Sequence, residues 1–278
     1  MATIQAQGAR LHVEEAGSGY PILFVHEFAA DHREWEGQVR HFSRSHRVIT
    51  YAARGYPPSE VPEDPTLYGQ DHSANDILAV LDGLGVARAH IVGLSMGAFA
   101  SLLFALRHPE RASAVVLAGV GGGSELSELE AFRRTQEGNA QRLLAVGWHQ
   151  EAIDLAHAAN RIQLKRKDPR GWEEFVAHLR EHSALGSALT RRHYQGGRDP
   201  VYHWEEQLRG LNLPILLAVG DEDGPCIDAS VFLKRVLPDA LLWMAPGTGH
   251  AINLEEPAAF NREVEAFLNQ VERRASRS

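Results

Sequence analysis

A serine, a pair of aspartates and a histidine each follow an apolar run, and together they could carry out nucleophilic catalysis. Ser95 stands in Gly93-Leu94-Ser95-Met96-Gly97, between the strand-like Ala89-His90-Ile91-Val92 and the small-residue stretch that begins at Ala98. A serine hydroxyl is a weak nucleophile, so it has to be lifted out of the sheet on a tight turn where a base can take its proton. The flanking glycines make that turn sterically possible. Met96, the next residue, would aim its backbone N–H at a developing oxyanion. Gly220-Asp221-Glu222-Asp223 follows the run Pro214 to Val219, and Gly247-Thr248-Gly249-His250 follows Ala240 to Met244. The chain therefore offers a nucleophile, an acid and a base, in that order.

The elements that must position these residues can be read from the pattern. Leu11 to Glu15, Ile22 to Val25, Val48 to Tyr51, Ile91 to Leu94 and Val115 to Leu117 read as strands, the inner ones continuously apolar as buried parallel strands are. Ala74, Ile77, Leu78, Leu81 and Leu84 form one apolar stripe at helical spacing, and Gly85 is placed to end that helix. After Gly121-Gly122-Gly123 the strand signal gives way to helical, polar and histidine-rich sequence up to Trp204, and sheet patterning resumes at Leu213.

These motifs and their order resemble the α/β-hydrolase fold family, from about Ile4 to Leu268, with the likeness weakest between Gly122 and His203. The resemblance implies an α/β fold with a mostly parallel, doubly wound sheet. It also implies a hydrolase core over 1–121 and 204–278, with a helical cap over 122–203 inserted after the sixth strand. Within the family the acid stands in Gly-x-x-Asp, which matches Asp223 rather than Asp221. The implied roles are Ser95 as nucleophile, His250 as general base and then acid, and Asp223 as its orienting carboxylate.

The family also places an oxyanion donor in the loop after the strand ending at Val25, usually as His-Gly followed by the donor. Here the loop reads His26-Glu27-Phe28. Phe28 takes the donor position beside Met96, and Glu27 replaces the glycine. A carboxylate about 5 Å from the oxyanion would oppose it by about 3 kcal/mol at an effective dielectric near 20. Glu27 is therefore expected to turn away and brace the loop from behind, to stay protonated, or to be neutralised by a cation, Arg54 or Arg33. A direct catalytic part, positioning water or passing a proton, is the alternative. Glu27, Arg54, His26 and Trp148 are the expected pocket residues.

Composition narrows the classes of function. The 278 residues are 44% hydrophobic and carry a formal net charge of −8, which suits one large core and disfavours a nucleic-acid or anionic-membrane partner. The N-terminus has no signal pattern and no apolar run long enough to span a bilayer, so a cytoplasmic protein is expected. Cys226 is the single cysteine, so no intramolecular disulfide can form; a packed loop thiol is expected. The insertion is rich in histidine but lacks metal-ligand spacing, so neither a metal nor a cofactor is expected.

A serine nucleophile argues against the haloalkane dehalogenase and epoxide hydrolase branches of the family, which form esters on an enzyme carboxylate. The expected function is hydrolysis of a small carboxylic ester or lactone through an acyl-enzyme. Cleavage of a carbon–carbon bond in a diketone-like substrate by the same triad is the alternative. From other classes, a cofactor-free lyase or oxygenase and a non-catalytic ligand-binding protein also fit the fold.

Overall fold

A computed structural model describes residues 1–276. One eight-stranded sheet organises the chain: β1 (Ala2–Ala6), β2 (Ala9–Ala16), β3 (Tyr20–Val25), β4 (His46–Tyr51), β5 (Ala89–Leu94), β6 (Ala112–Ala118), β7 (Ile215–Gly220) and β8 (Ala240–Ala245). The spatial order is β1-β2-β4-β3-β5-β6-β7-β8, antiparallel at β1/β2 and β2/β4 and parallel beyond. This is the mostly parallel α/β sheet that the sequence predicts. Strand β1 escapes the sequence reading because its alternation rests on Ile4 and the small Ala6, a weak apolar signal.

The continuous apolar runs of the inner strands follow from burial on both faces. Leu23, Ile91 and Leu117 pack in one core, while their neighbours Ile22, Val92 and Val116 pack in the other. Successive strand residues point to opposite sides, so a strand covered on both sides has no polar positions to spare. The helix Gln70–Gly83 buries Ala74, Ile77, Val80 and Leu81, and Gly85 follows it at φ +65°.

Parallel pairing brings the ends of the strands level. Val25 pairs with Tyr51 and Gly93, Leu94 with Ala118, and Gly220 with Ala245. The loops that carry Glu27, Arg54, Ser95, Asp223 and His250 consequently leave one edge of the sheet, where ligands of such sheets bind. Between β6 and β7 the insertion is helical: Leu129–Val146, Trp148–Ala156, Ile162–Lys167, Pro169–Arg180 and Ala184–Leu189, followed by a π-helical turn Thr190–Gln195. Among the described residues no helix is long and apolar enough to cross a membrane.

Candidate active site

Ser95 occupies the turn between β5 and the helix Met96–Arg107, with φ 51° and ψ −111°, and is the one non-glycine residue at positive φ among the described residues. Such a conformation costs on the order of 1–3 kcal/mol and persists only where its surroundings enforce it. Here Ser95 N donates to Ala118 O at 2.8 Å and Phe99 N to Ser95 O at 3.0 Å. The two glycines are steric requirements. A Cβ on Gly93 would lie 2.4 Å from Gly97 O, and one on Gly97 would lie 2.1 Å from Val25 O. Met96 is the first residue of its helix, so its N–H has no acceptor within that helix.

His250 Nδ1 lies 2.7 Å from Asp223 Oδ2, and both side chains are buried. With Nδ1–H donated to the carboxylate, Nε2 remains to take a proton. Burial alone would push the His250 pKa down, but the adjacent Asp223 charge and hydrogen bond hold it above the usual histidine value. Burial likewise opposes the Asp223 carboxylate, and His250 still keeps its pKa below the ordinary one. The ring lies over the end of β6: a Cβ on Gly119 would be 3.2 Å from His250 Cε1 and 3.4 Å from Cδ1 of Leu94, the residue before Ser95. Asp221 is exposed, and its Oδ1 accepts Thr248 N at 3.2 Å.

Three further residues hold this arrangement, and sequence reasoning missed all of them. Glu255 accepts Gly249 N at 2.5 Å and Ala251 N at 3.2 Å, clamping the loop on either side of His250. Asn160, from the insertion, accepts His250 N on its backbone oxygen at 2.6 Å and donates Nδ2 to Asp223 Oδ1 at 3.2 Å. Arg161 pairs with Glu27, its Nη1 2.7 Å from Oε1 and its Nη2 on Oε2. Asn160 and Arg161 lie in a non-periodic turn of the insertion, so no local pattern marks them.

The Glu27 side chain is fully buried, and its Oε2 stands 3.8 Å from His250 Nε2, so it faces the imidazole rather than bracing the loop from behind. Burial would raise its pKa, but Arg161 keeps it below the ordinary glutamate value. Arg54, an expected neutralising cation, is committed elsewhere: it grips Asp76 at 2.8 and 2.6 Å and also donates to Leu67 O and Gln7 O. Arg33, the other candidate, binds Asp31 and Glu181. The cation comes instead from the insertion, 134 positions along the chain from Glu27.

His26 fastens two loops together. Its Nε2 accepts Ala53 N at 2.9 Å, leaving Nδ1–H to donate to Glu27 O at 2.7 Å, and burial pushes its pKa down to about 4. Phe28 O receives the Tyr56 hydroxyl at 3.0 Å, which fixes the peptide beyond the candidate donor. Trp148 donates Nε1 to Ser187 Oγ and stacks 5.9 Å from the Phe28 ring. With Arg191, whose Cζ is 4.1 Å above the same ring, it bounds a cleft of about 290 Å³ in the insertion. A larger cleft of about 460 Å³, lined by Asp31, Glu34, Leu164 and Phe175, contains none of Ser95, Asp223 and His250.

Cys226 is buried, with Sγ 3.2 Å from Gly119 O and 4.0 Å from His250 Nδ1, and burial raises its pKa well above that of a free thiol. It is a packed thiol beside the imidazole, carried by the helix Gly224–Val236 rather than by the expected loop. Among the described residues, possible metal donors gather within 4.8 Å at His12, Glu14 and His32 and at Asp223, Cys226 and His250, while the histidines of the insertion form no such group.

The chain has counterparts among known proteins. Residues 20–257 match the family described as alpha/beta hydrolase fold. A 2-hydroxymuconate semialdehyde hydrolase of Pseudomonas putida is 29% identical over 281 residues, covering 97% of this chain and 94% of the relative. The 3-oxoadipate enol-lactonase 2 of Acinetobacter baylyi is 26% identical, covering 96% of each chain. Among solved structures, an esterase from Thermogutta terrifontis superposes with a TM-score of 0.86 at 22% identity, covering 97% of this chain and 98% of that one.

Proposed function

Because the chain belongs to the α/β-hydrolase fold family, we propose that it is a serine hydrolase that cleaves a small carboxylic ester or lactone through an acyl-enzyme. Residues 1–121 and 204–278 form the catalytic core in this reading, and 122–203 cap it. The observation that carries it is the strained Ser95 at the end of β5, on the same sheet edge as an imidazole whose Nδ1 is bonded to Asp223 at 2.7 Å. His250 Nε2 takes the Ser95 proton as Oγ attacks the carbonyl carbon. The N–H groups of Phe28 and Met96 receive the oxyanion. The imidazolium then protonates the leaving alcohol. No cofactor is needed for these steps, and a serine in the nucleophile position argues against an intermediate formed on an enzyme carboxylate.

Carbon–carbon bond hydrolysis is the second reading. It is favoured by the full-length likeness to the semialdehyde hydrolase and by Arg191, which burial lowers only to about 10 and which stays cationic beside the Phe28 ring. A cation there suits a substrate bearing a carboxylate.

A panel of p-nitrophenyl esters, lactones and diketones separates the two readings, assayed with wild type beside Ser95→Ala. A fluorophosphonate should label Ser95 in the wild type and not in the variant, which should also lose turnover. Equal labelling of both would remove Ser95 from the nucleophile role.

A further inference from the structure

We infer that Glu27 is a further catalytic residue of this reaction, its Oε2 and His250 Nε2 together holding the water that hydrolyses the acyl-enzyme. The inference rests on the serine-hydrolase reading.

Glu27 stands where the family motif has a glycine, so the acylation machinery common to the family has no need of its carboxylate. Its side chain is nevertheless fully buried and aimed at the active imidazole, 3.8 Å from the nitrogen that must exchange protons. Two atoms at that separation can both lie about 2.8 Å from one water oxygen. The carboxylate cannot swing away, because Arg161 engages both of its oxygens. Its backbone is fixed as well, Glu27 N donating to Glu34 Oε1 at 2.9 Å. Burial, reinforced by the Glu27 charge, raises the Glu34 pKa well above the ordinary value, so the buried ion pair remains that of Glu27 with Arg161.

An ionised carboxylate accepts and cannot donate, so a water in this place gives one hydrogen to Glu27 Oε2 and the other to His250 Nε2. Its lone pair is then free to attack. As the water oxygen bonds to the acyl carbon, the proton facing His250 passes to Nε2. When the tetrahedral intermediate collapses, the bond from the acyl carbon to Ser95 Oγ breaks and that proton moves from Nε2 to Oγ. The other water proton stays on the product acid, so atoms and charge balance. Acylation uses the leaving alcohol at this position and needs no such water, which confines the role of Glu27 to the second half of the cycle.

Rapid mixing with a p-nitrophenyl ester, together with intact-protein mass measurement, tests this on Glu27→Gln and on the double variant Glu27→Gly/Arg161→Leu. The double variant leaves no buried charge unpaired and so guards against misfolding of the single one. In both, the nitrophenol burst should keep its wild-type rate within about threefold, while kcat falls about tenfold in the first and about a hundredfold in the second. KM should fall with kcat, and a Ser95 acyl adduct should accumulate. A purely structural Glu27 would instead slow the burst and the turnover together. That outcome, or wild-type kcat in the folded double variant, overturns the inference. Failure of the serine reading looks different: the wild type itself would then give neither a burst nor a labelled Ser95.

Discussion

Asn160 Nδ2 donates to Asp223 Oδ1 at 3.2 Å, on the oxygen that His250 does not use. The Asp223 carboxylate is thus held from two sides, by the His250 imidazole and by a residue of the insertion. Asn160→Ala keeps the backbone oxygen that receives His250 N and deletes only the side-chain donor. A hydrogen bond to a charged group contributes about 1.5–3 kcal/mol. Part of that loss should appear in the transition state, so kcat is expected to drop about tenfold with KM nearly unchanged. Steady-state kinetics on the best ester of the panel check this, and an unchanged kcat would show that His250 alone orients the carboxylate.

The two aspartates of Gly220-Asp221-Glu222-Asp223 make a sharper comparison. Asp223 is buried against His250, whereas Asp221 is exposed and caps Thr248. Asp223→Asn should lower kcat by about 10⁴, since the amide favours the wrong imidazole tautomer. Asp221→Asn should stay within about threefold of wild type, because a solvated hydrogen bond contributes little. Comparable losses in the two variants would contradict the assignment of the acid to Asp223.

The pH profile follows from the direction of the His250 shift. In the proposed mechanism the free enzyme acts with His250 neutral, and Asp223 holds the imidazolium pKa above the ordinary histidine value despite burial. The acidic limb of kcat/KM should therefore have its midpoint above about 6.5. Glu27 also raises this pKa and Arg161 lowers it. Glu27→Gln removes the first influence and leaves the second, so the limb should move to lower pH. A limb that stays in place, in a profile measured where chemistry limits the rate, would place Glu27 too far from the imidazole to matter.

Residues that share a short window with a strand end were legible from the chain. Ser95 sits inside a motif whose glycines answer steric demands a few residues away, and His250 follows β8 in a glycine-flanked loop. The partners of Glu27 and Asp223 were not legible. Arg161 is 134 positions from Glu27, in a turn without periodicity, and only the folding of the insertion over the sheet edge brings them together. Arg54 misled for a related reason: β4 does bring its loop beside that of β3, yet its side chain turns to Asp76 on the helix Gln70–Gly83. Charge and proximity of elements were readable, but the direction of a side chain depends on which buried counter-charge the tertiary fold supplies.

The Glu27–Arg161 pair also ties the insertion to the sheet edge, and its removal has a calculable pH signature. Arg161→Met leaves a buried carboxylate without its cation, which costs about 3–5 kcal/mol when one partner of a buried pair is lost. In the wild type the folded-state pKa of Glu27 lies below the ordinary value, so its contribution is present above the unfolded pKa and is lost as pH falls through the folded one. In the variant the sign reverses. Burial without Arg161 raises the folded-state pKa, so the folded variant binds a proton more readily than the unfolded chain and regains stability as pH falls. Urea unfolding at pH 8 and pH 5 should show the wild-type advantage shrinking on acidification, and Arg161→Met/Glu27→Gln should recover much of the loss at pH 8. A deficit equal at both pH values, and not relieved by the second substitution, would mean that Arg161 stabilises the fold through its packing against Phe175 rather than through Glu27.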